Sequence, residues 1–223
     1  MKKAKKVVAL LLCAVLLVVG SVTGTMAYLT SQDEVVNTFT VGKVAITLDE
    51  AVVNEYGVAA GGRTSETNDY KLIPGHTYEK DPTVTVVADS ESSYVRMIVT
   101  VTDLADLKVA CGVPFEQKLL LQNYVEGWDN TKWISTGVIN EFENKATYEF
   151  RYFEPVSTVD GEAKKLEPLF TKFTMPKTAT NGQILNLEEM EIKVVAHAIQ
   201  ADGFTATDGK TAEQNAWDAF DNN

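Results

Sequence analysis

The sequence predicts a mainly β protein, an antiparallel β-sandwich of jelly-roll type with a short helical insertion and a short C-terminal helix. Three observations lead there. Short segments with two-residue apolar alternation recur between Gly, Pro, Asn and Asp turn signals. Helical spacing is confined to one stretch near the middle and to the last dozen residues. The 223 residues are 45% hydrophobic and 23% charged, a composition that can bury a core. No fixed-period repeat and no shift of composition divides residues 28–223, which therefore read as a single domain.

Residues 1–27 read as a signal peptide. Met1 to Lys6 carries four lysines, Val7 to Gly20 is almost wholly apolar, and Thr25 and Ala27 stand at −3 and −1 of a cleavage site between Ala27 and Tyr28. The apolar run to Gly24 is at the lower margin of a bilayer span, so an uncleaved anchor is the competing reading. Leu11 and Leu12 ahead of Cys13 argue against a lipoprotein. Membrane contact is then expected only before cleavage, and the mature protein is expected to be secreted.

In the mature chain, Phe39 and Val41, then Val44, Ile46 and Leu48 after a slip at Gly42-Lys43, predict a bulged strand over Asn37 to Leu48. Asn54 to Asp69, rich in Gly, Ser, Thr and Asn, reads as a loop. Pro74-Gly75 marks a turn before the β-branched run Thr83 to Val87, and Asp89 to Ser93 marks another. Tyr94 to Thr102 alternates most clearly and predicts a central strand, with Val95, Met97, Val99 and Val101 facing one way and Tyr94, Arg96, Ile98 and Thr100 the other. Phe115, Leu119, Leu120 and Tyr124 fall at helical spacing. Thr131 to Ser135, Thr147 to Phe153, Leu169 to Met175 and Glu189 to Gln200 read as strands, with Met190, Ile192, Val194, Ala196 and Ala198 sharing one face of the last. Thr211 and Gln214 form a capping-box pattern ahead of Ala212, Ala216, Trp217 and Phe220, which predicts a C-terminal helix.

Charge and residue chemistry narrow the function. Removing residues 1–27 takes away four lysines and no acid, leaving 16 basic against 31 acidic residues, a net charge of −15. Such a surface repels phosphate backbones and anionic headgroups, which argues against nucleic-acid partners and charge-driven membrane binding. One cysteine, Cys111, remains after cleavage, so no internal disulfide can form, and its apolar neighbours make it a core residue. His76 and His197 form no metal or acid–base motif, and no nucleophile or phosphate-loop pattern occurs, so no catalytic, metal or cofactor residues are expected. Asp89/Glu91, Glu188/Glu189/Glu191 and Asp202/Asp208 match no calcium loop and read as solvated turns. Tyr148/Phe150/Tyr152 and Trp128/Trp133 fit a core at strand spacing, with a sugar-stacking platform as the alternative.

Several segments together resemble the TasA/camelysin family of Gram-positive bacteria: Thr25-Met26-Ala27-Tyr28-Leu29-Thr30-Ser31, Asn37-Thr38-Phe39-Thr40-Val41-Gly42-Lys43-Val44, Leu72-Ile73-Pro74-Gly75-His76-Thr77-Tyr78-Glu79-Lys80-Asp81-Pro82, Ser93-Tyr94-Val95-Arg96 and Ala196 to Phe204 with Ala216-Trp217. Asp103 to Ser157 matches little of that pattern. The resemblance implies processing by a SipW-type signal peptidase and an extracellular subunit that assembles into biofilm-matrix fibres with itself or with related matrix subunits. It further implies that the N-terminal strand of one subunit completes a sheet of the next. Residues 28–37 are the expected donor segment, with Tyr28, Leu29, Val35, Val36, Phe39 and Val41 as its apolar contacts; strand addition satisfies an open edge while alternate side chains fill pockets. A camelysin-like metallopeptidase and a monomeric surface adhesin are the alternatives.

Overall fold

The computed structural model describes residues 42–222 apart from 160, 188 and 208. The cleavage site Ala27–Tyr28 and the donor residues Leu29, Val35, Val36, Phe39 and Val41 lie outside the described residues, as do Glu188 and Asp208. Within those bounds the protein is mainly antiparallel β with curled sheets. The strands are β1 (Ile46–Val53), β2 (Ala59–Thr64), β3 (Thr77–Glu79), β4 (Thr83–Val86), β5 (Ser93–Val101), β6 (Val125–Glu126), β7 (Trp133–Phe142), β8 (Lys145–Tyr152), β9 (Lys164–Lys165), β10 (Lys172–Thr174) and β11 (Ile192–Gln200). Three helices, α1 (Leu104–Cys111), α2 (Asn181–Leu185) and α3 (Ala212–Asp221), accompany them. The sheets run β2-β1-β4-β9, β3-β10-β6 and β11-β5-β8-β7.

Strand β5 is central, as its alternation predicts, lying between β11 and β8 with Val95, Met97, Val99 and Val101 at 1% exposure or less. They join one core with Val84 and Val86 of β4, Tyr148 and Phe150 of β8 and Phe173 of β10. Tyr148, Phe150 and Tyr152 are thus buried, as is Trp133, whose indole N–H donates to the Glu167 carbonyl at 2.9 Å. These rings build the core and offer no stacking platform. The β7–β8 hairpin turns through Glu143 and Asn144, both at positive φ (50° and 59°), the conformation a two-residue turn of matching twist demands.

Local patterns mislead at four places. Of the strand expected over Asn37 to Leu48, residues 37–41 lie outside the described residues, and in the described part the strand begins at Ile46, with the Ala45 carbonyl accepting from the Val87 N–H and the Lys43 carbonyl from the Glu91 N–H just ahead of it. The stretch read as loop contains β2: Arg63 is drawn into the β1 sheet by Asp49 (2.6 Å) and Asp81 (2.7 Å), which outweighs the weak strand preference of Gly61 and Gly62. Gly57 turns the chain between β1 and β2 at φ 66°, where a Cβ would meet the Tyr78 backbone at 2.6 Å. The insertion's helix is α1, upstream of the spacing that suggested it. Gly112 ends it in a left-handed conformation while Val113 N–H returns to the Lys108 carbonyl, and Pro114 follows. Phe115 to Leu120 is then irregular, because the Leu119 N–H and the buried Lys108 ammonium both bind the Glu141 carboxylate. Finally, the strand expected at Thr131 to Ser135 runs on to Phe142.

The C-terminal helix forms as its capping box predicts: Thr211 Oγ1 accepts from Gln214 N–H, and Gln214 Oε1 accepts from Thr211 N–H. Ala216 and Trp217 are buried against the outer face of the β11-β5-β8 sheet, where Arg96 lies under the Trp217 ring at 4.4 Å.

Candidate functional site

The geometry a β-rich subunit can use to join another chain is an unpaired strand, and among the described residues β11 is the long, regular one. It pairs with β5 in unbroken register from Ile192↔Val101 to Gln200↔Ser93 and has no neighbour on its other side among those residues. The bonds Thr102 N–H to Glu191 C=O and Ala201 N–H to Ser92 C=O bracket that ladder. Hydrogen-bonded pairs alternate in an antiparallel ladder, so odd-numbered residues of β11 face β5. Ile192, Val194, Ala196, Ala198 and Gln200 therefore direct their N–H and C=O groups to the open edge. The other edges are blunted: β7 is broken by two register shifts with Gly137 at φ 99°, β2 carries Gly61 and Gly62 at positive φ, and β3, β6 and β9 are two or three residues long.

A groove of about 1120 Å³ opens beside this edge, between β11 and β1. Leu48, Leu72, Met190, Ile192 and Val194 give it half-buried apolar walls continuous with the core. Its far wall is polar and tightly tied. Glu50 accepts from Lys80 Nζ at 2.6 Å through one oxygen and from Asn68 Nδ2 at 2.8 Å through the other. Asp81 accepts from the Ala51 N–H at 2.6 Å. The Lys80-Asp81-Pro82 step thus fastens β1 where the chain enters β4, and sequence reasoning missed Glu50, Asn68 and Arg63 as its partners. No periodicity could have found them, since they are brought together by the β1–β2 hairpin rather than by spacing.

On the opposite side of β11, α3 shields the sheet. Arg96, 3% exposed, makes two bonds to Asp221 (2.9 and 2.5 Å), donates through Nε to His197 Nδ1 (3.2 Å) and lies 3.9 Å from Glu149. Accepting that bond makes His197 neutral; burial, and then the Arg96 charge, hold its pKa below the ordinary imidazole value. Hydrogen bonding to Arg96 in turn holds Asp221 below the usual carboxylate range.

The structure does not bring the two histidines into a metal site. His76 Nε2 donates to the Tyr56 carbonyl at 2.8 Å and its ring packs edge-on against Tyr78. His197 serves the α3 clamp. Among the described residues no group of three or more His, Cys, Asp or Glu could hold a metal ion. Cys111 is a free, half-buried thiol whose pKa burial pushes up to about 11. Asp89 and Glu91 lie in the β4–β5 connection, where Asp89 takes a positive φ and Glu91 N–H binds the Lys43 carbonyl. Comparison of the chain with protein-family models, with curated proteins and with solved structures finds no match in any of the three.

Proposed function

We propose that this chain is a secreted, non-enzymatic structural subunit of an extracellular or biofilm matrix, released by a SipW-type signal peptidase. In this reading it is a jelly-roll-type sandwich of the TasA/camelysin kind that polymerises with itself or with related matrix subunits. The segment from Tyr28, with Leu29, Val35, Val36, Phe39 and Val41, is donated to the β11 edge of the next copy. The observation that carries the reading is the open β11 edge beside an apolar-walled groove, which needs one more strand to satisfy five N–H and C=O pairs.

The length of the expected donor supports it. Tyr28 to Val41 is 14 residues, which extended span about 46 Å against about 30 Å for the nine residues of β11. The donor is long enough to cover the edge of a neighbour and still leave a link to its own β1. Before cleavage the same segment is tethered to the membrane, so processing acts as the switch for assembly.

Negative-stain electron microscopy of the mature protein from Tyr28, beside a version lacking 28–37, tests this. Filaments from the first and monodisperse particles from the second are expected. Monomers from both would refute self-assembly, and zinc-dependent casein cleavage abolished by His76→Ala or His197→Ala would replace it with a metallopeptidase.

A further inference from the structure

We propose that Lys80 and Asn68 become joined by an intramolecular isopeptide bond, with Glu50 as the proton carrier. The three side chains lie together although they come from β1, the segment after β2 and the segment before β4. One carboxylate, that of Glu50, holds the amine on Oε2 at 2.6 Å and the amide nitrogen on Oε1 at 2.8 Å. Lys80 and Glu50 are 8% and 9% exposed, an environment that favours uncharged products over a buried ion pair. Tyr70 packs beside the site: its ring centroid is 5.9 Å from Lys80 Nζ, and it lies edge-on against Phe173 and Tyr78.

Asn68 is also poised as the electrophile. Its Oδ1 accepts from the Val53 N–H at 3.2 Å, a donor placed where negative charge develops when the amide carbon is attacked. Its Nδ2 spends both hydrogens, on Glu50 and on the Ala51 carbonyl at 2.9 Å, so the amide cannot rotate away.

The chemistry balances without any further reagent. Lys80 passes a proton to Glu50, and the neutral amine attacks Asn68 Cγ, forming the Nζ–Cγ bond. Glu50 then protonates Nδ2, the Cγ–Nδ2 bond breaks and ammonia leaves. The second amine proton returns to Glu50, which ends protonated and uncharged beside the new amide. The cross-link closes the segment from Asn68 to Lys80, including the Pro74-Gly75 turn, and pins the polar wall of the groove beside β11, where the described residues hold no disulfide to do so. It stands whether or not the groove receives a strand.

The test is intact-mass spectrometry of the denatured mature protein, followed by fragment spectra of its tryptic peptides. A mass about 17 Da below that of the sequence, with Lys80 and Asn68 found in one branched peptide, is the expected result. Glu50→Gln should restore the full mass, as should Lys80→Arg. An unchanged wild-type mass overturns the proposal and leaves Lys80–Glu50 a plain ion pair. So does a loss of about 17 Da with the Lys80 amine still open to acetylation, which marks a succinimide, or a loss of about 18 Da that joins Lys80 to Glu50. The wild-type spectrum decides even if neither variant folds.

Discussion

Proline substitutions at two neighbouring positions of β11 separate the fold from the assembly it is proposed to support. Val195 lies opposite Ile98, and the parity of the ladder puts its N–H into β5. Val195→Pro removes that bond and leaves the Ile98 carbonyl unpaired inside the sheet, a cost of about 2–3 kcal/mol. For a chain this size that moves the urea midpoint down by roughly 1 M. Ala196 directs its N–H to the open edge, so Ala196→Pro breaks no bond among the described residues and should cost within about 1 kcal/mol. In filament assembly the order reverses. The ring at residue 196 removes a donor that an incoming strand needs and puts Cδ in its path, so Ala196→Pro should stop elongation while the monomer melts almost as wild type does. Urea unfolding of freshly processed monomer and electron microscopy after incubation read the two effects. Equal destabilisation by both variants would refute the hydrogen-bond parity, and normal filaments from Ala196→Pro would refute β11 as the acceptor.

The remaining expectations concern the clamp under α3 and the half-buried thiol. His197 is neutral in the folded state with a depressed pKa, set by burial and Arg96 and only partly offset by Asp221 and Glu149. Its contribution to stability is therefore complete above about pH 6.5, where the unfolded imidazole is also neutral, and is lost as the pH falls below that value and the unfolded state binds the proton first. Urea midpoints between about pH 7.5 and 5 should fall less for His197→Gln, which keeps an acceptor for Arg96; an identical slope would refute the role of this imidazole. Trp217→Ala, which empties a 1% exposed site and removes the surface on which Arg96 lies, should cost about 3–5 kcal/mol in chemical denaturation; a cost under about 1 kcal/mol would show that α3 is not docked as described. Disulfide-exchange labelling of Cys111 near pH 8 should be slow in the folded protein and rise with urea along the unfolding curve, and fast labelling of the native state would contradict the raised thiol pKa.

The two ends of the clamp carry different weight. Asp221 is half-exposed, so its pairing with Arg96 is screened and contributes little on its own. The guanidinium, by contrast, is enclosed by Trp217 and Phe220 and would keep only His197 and the more distant Glu149 if α3 departed. Loss of the helix therefore acts on β11 through a buried charge, and this couples the C-terminal segment to the strand whose edge is proposed to accept a neighbour.

Elements whose side chains alternate along one strand were determined by the sequence itself. The apolar faces of β5 and β11, the β-branched β4 and the capped helix α3 could all be read directly, because each is specified by neighbours two, three or four residues away. The same locality made the aromatic series on β8 legible as core. Tertiary structure alone decided the rest. Strand β2 exists because Arg63 finds Asp49 and Asp81, the helical spacing from Phe115 is overridden by Glu141 capturing Lys108 and the Leu119 N–H, and Arg96 is buried by a helix more than a hundred residues away. The meeting of Glu50, Asn68 and Lys80 is of the same kind. Charged and amide groups bond over any sequence separation once the chain brings them within reach, and nothing in the spacing of residues records which of them will meet.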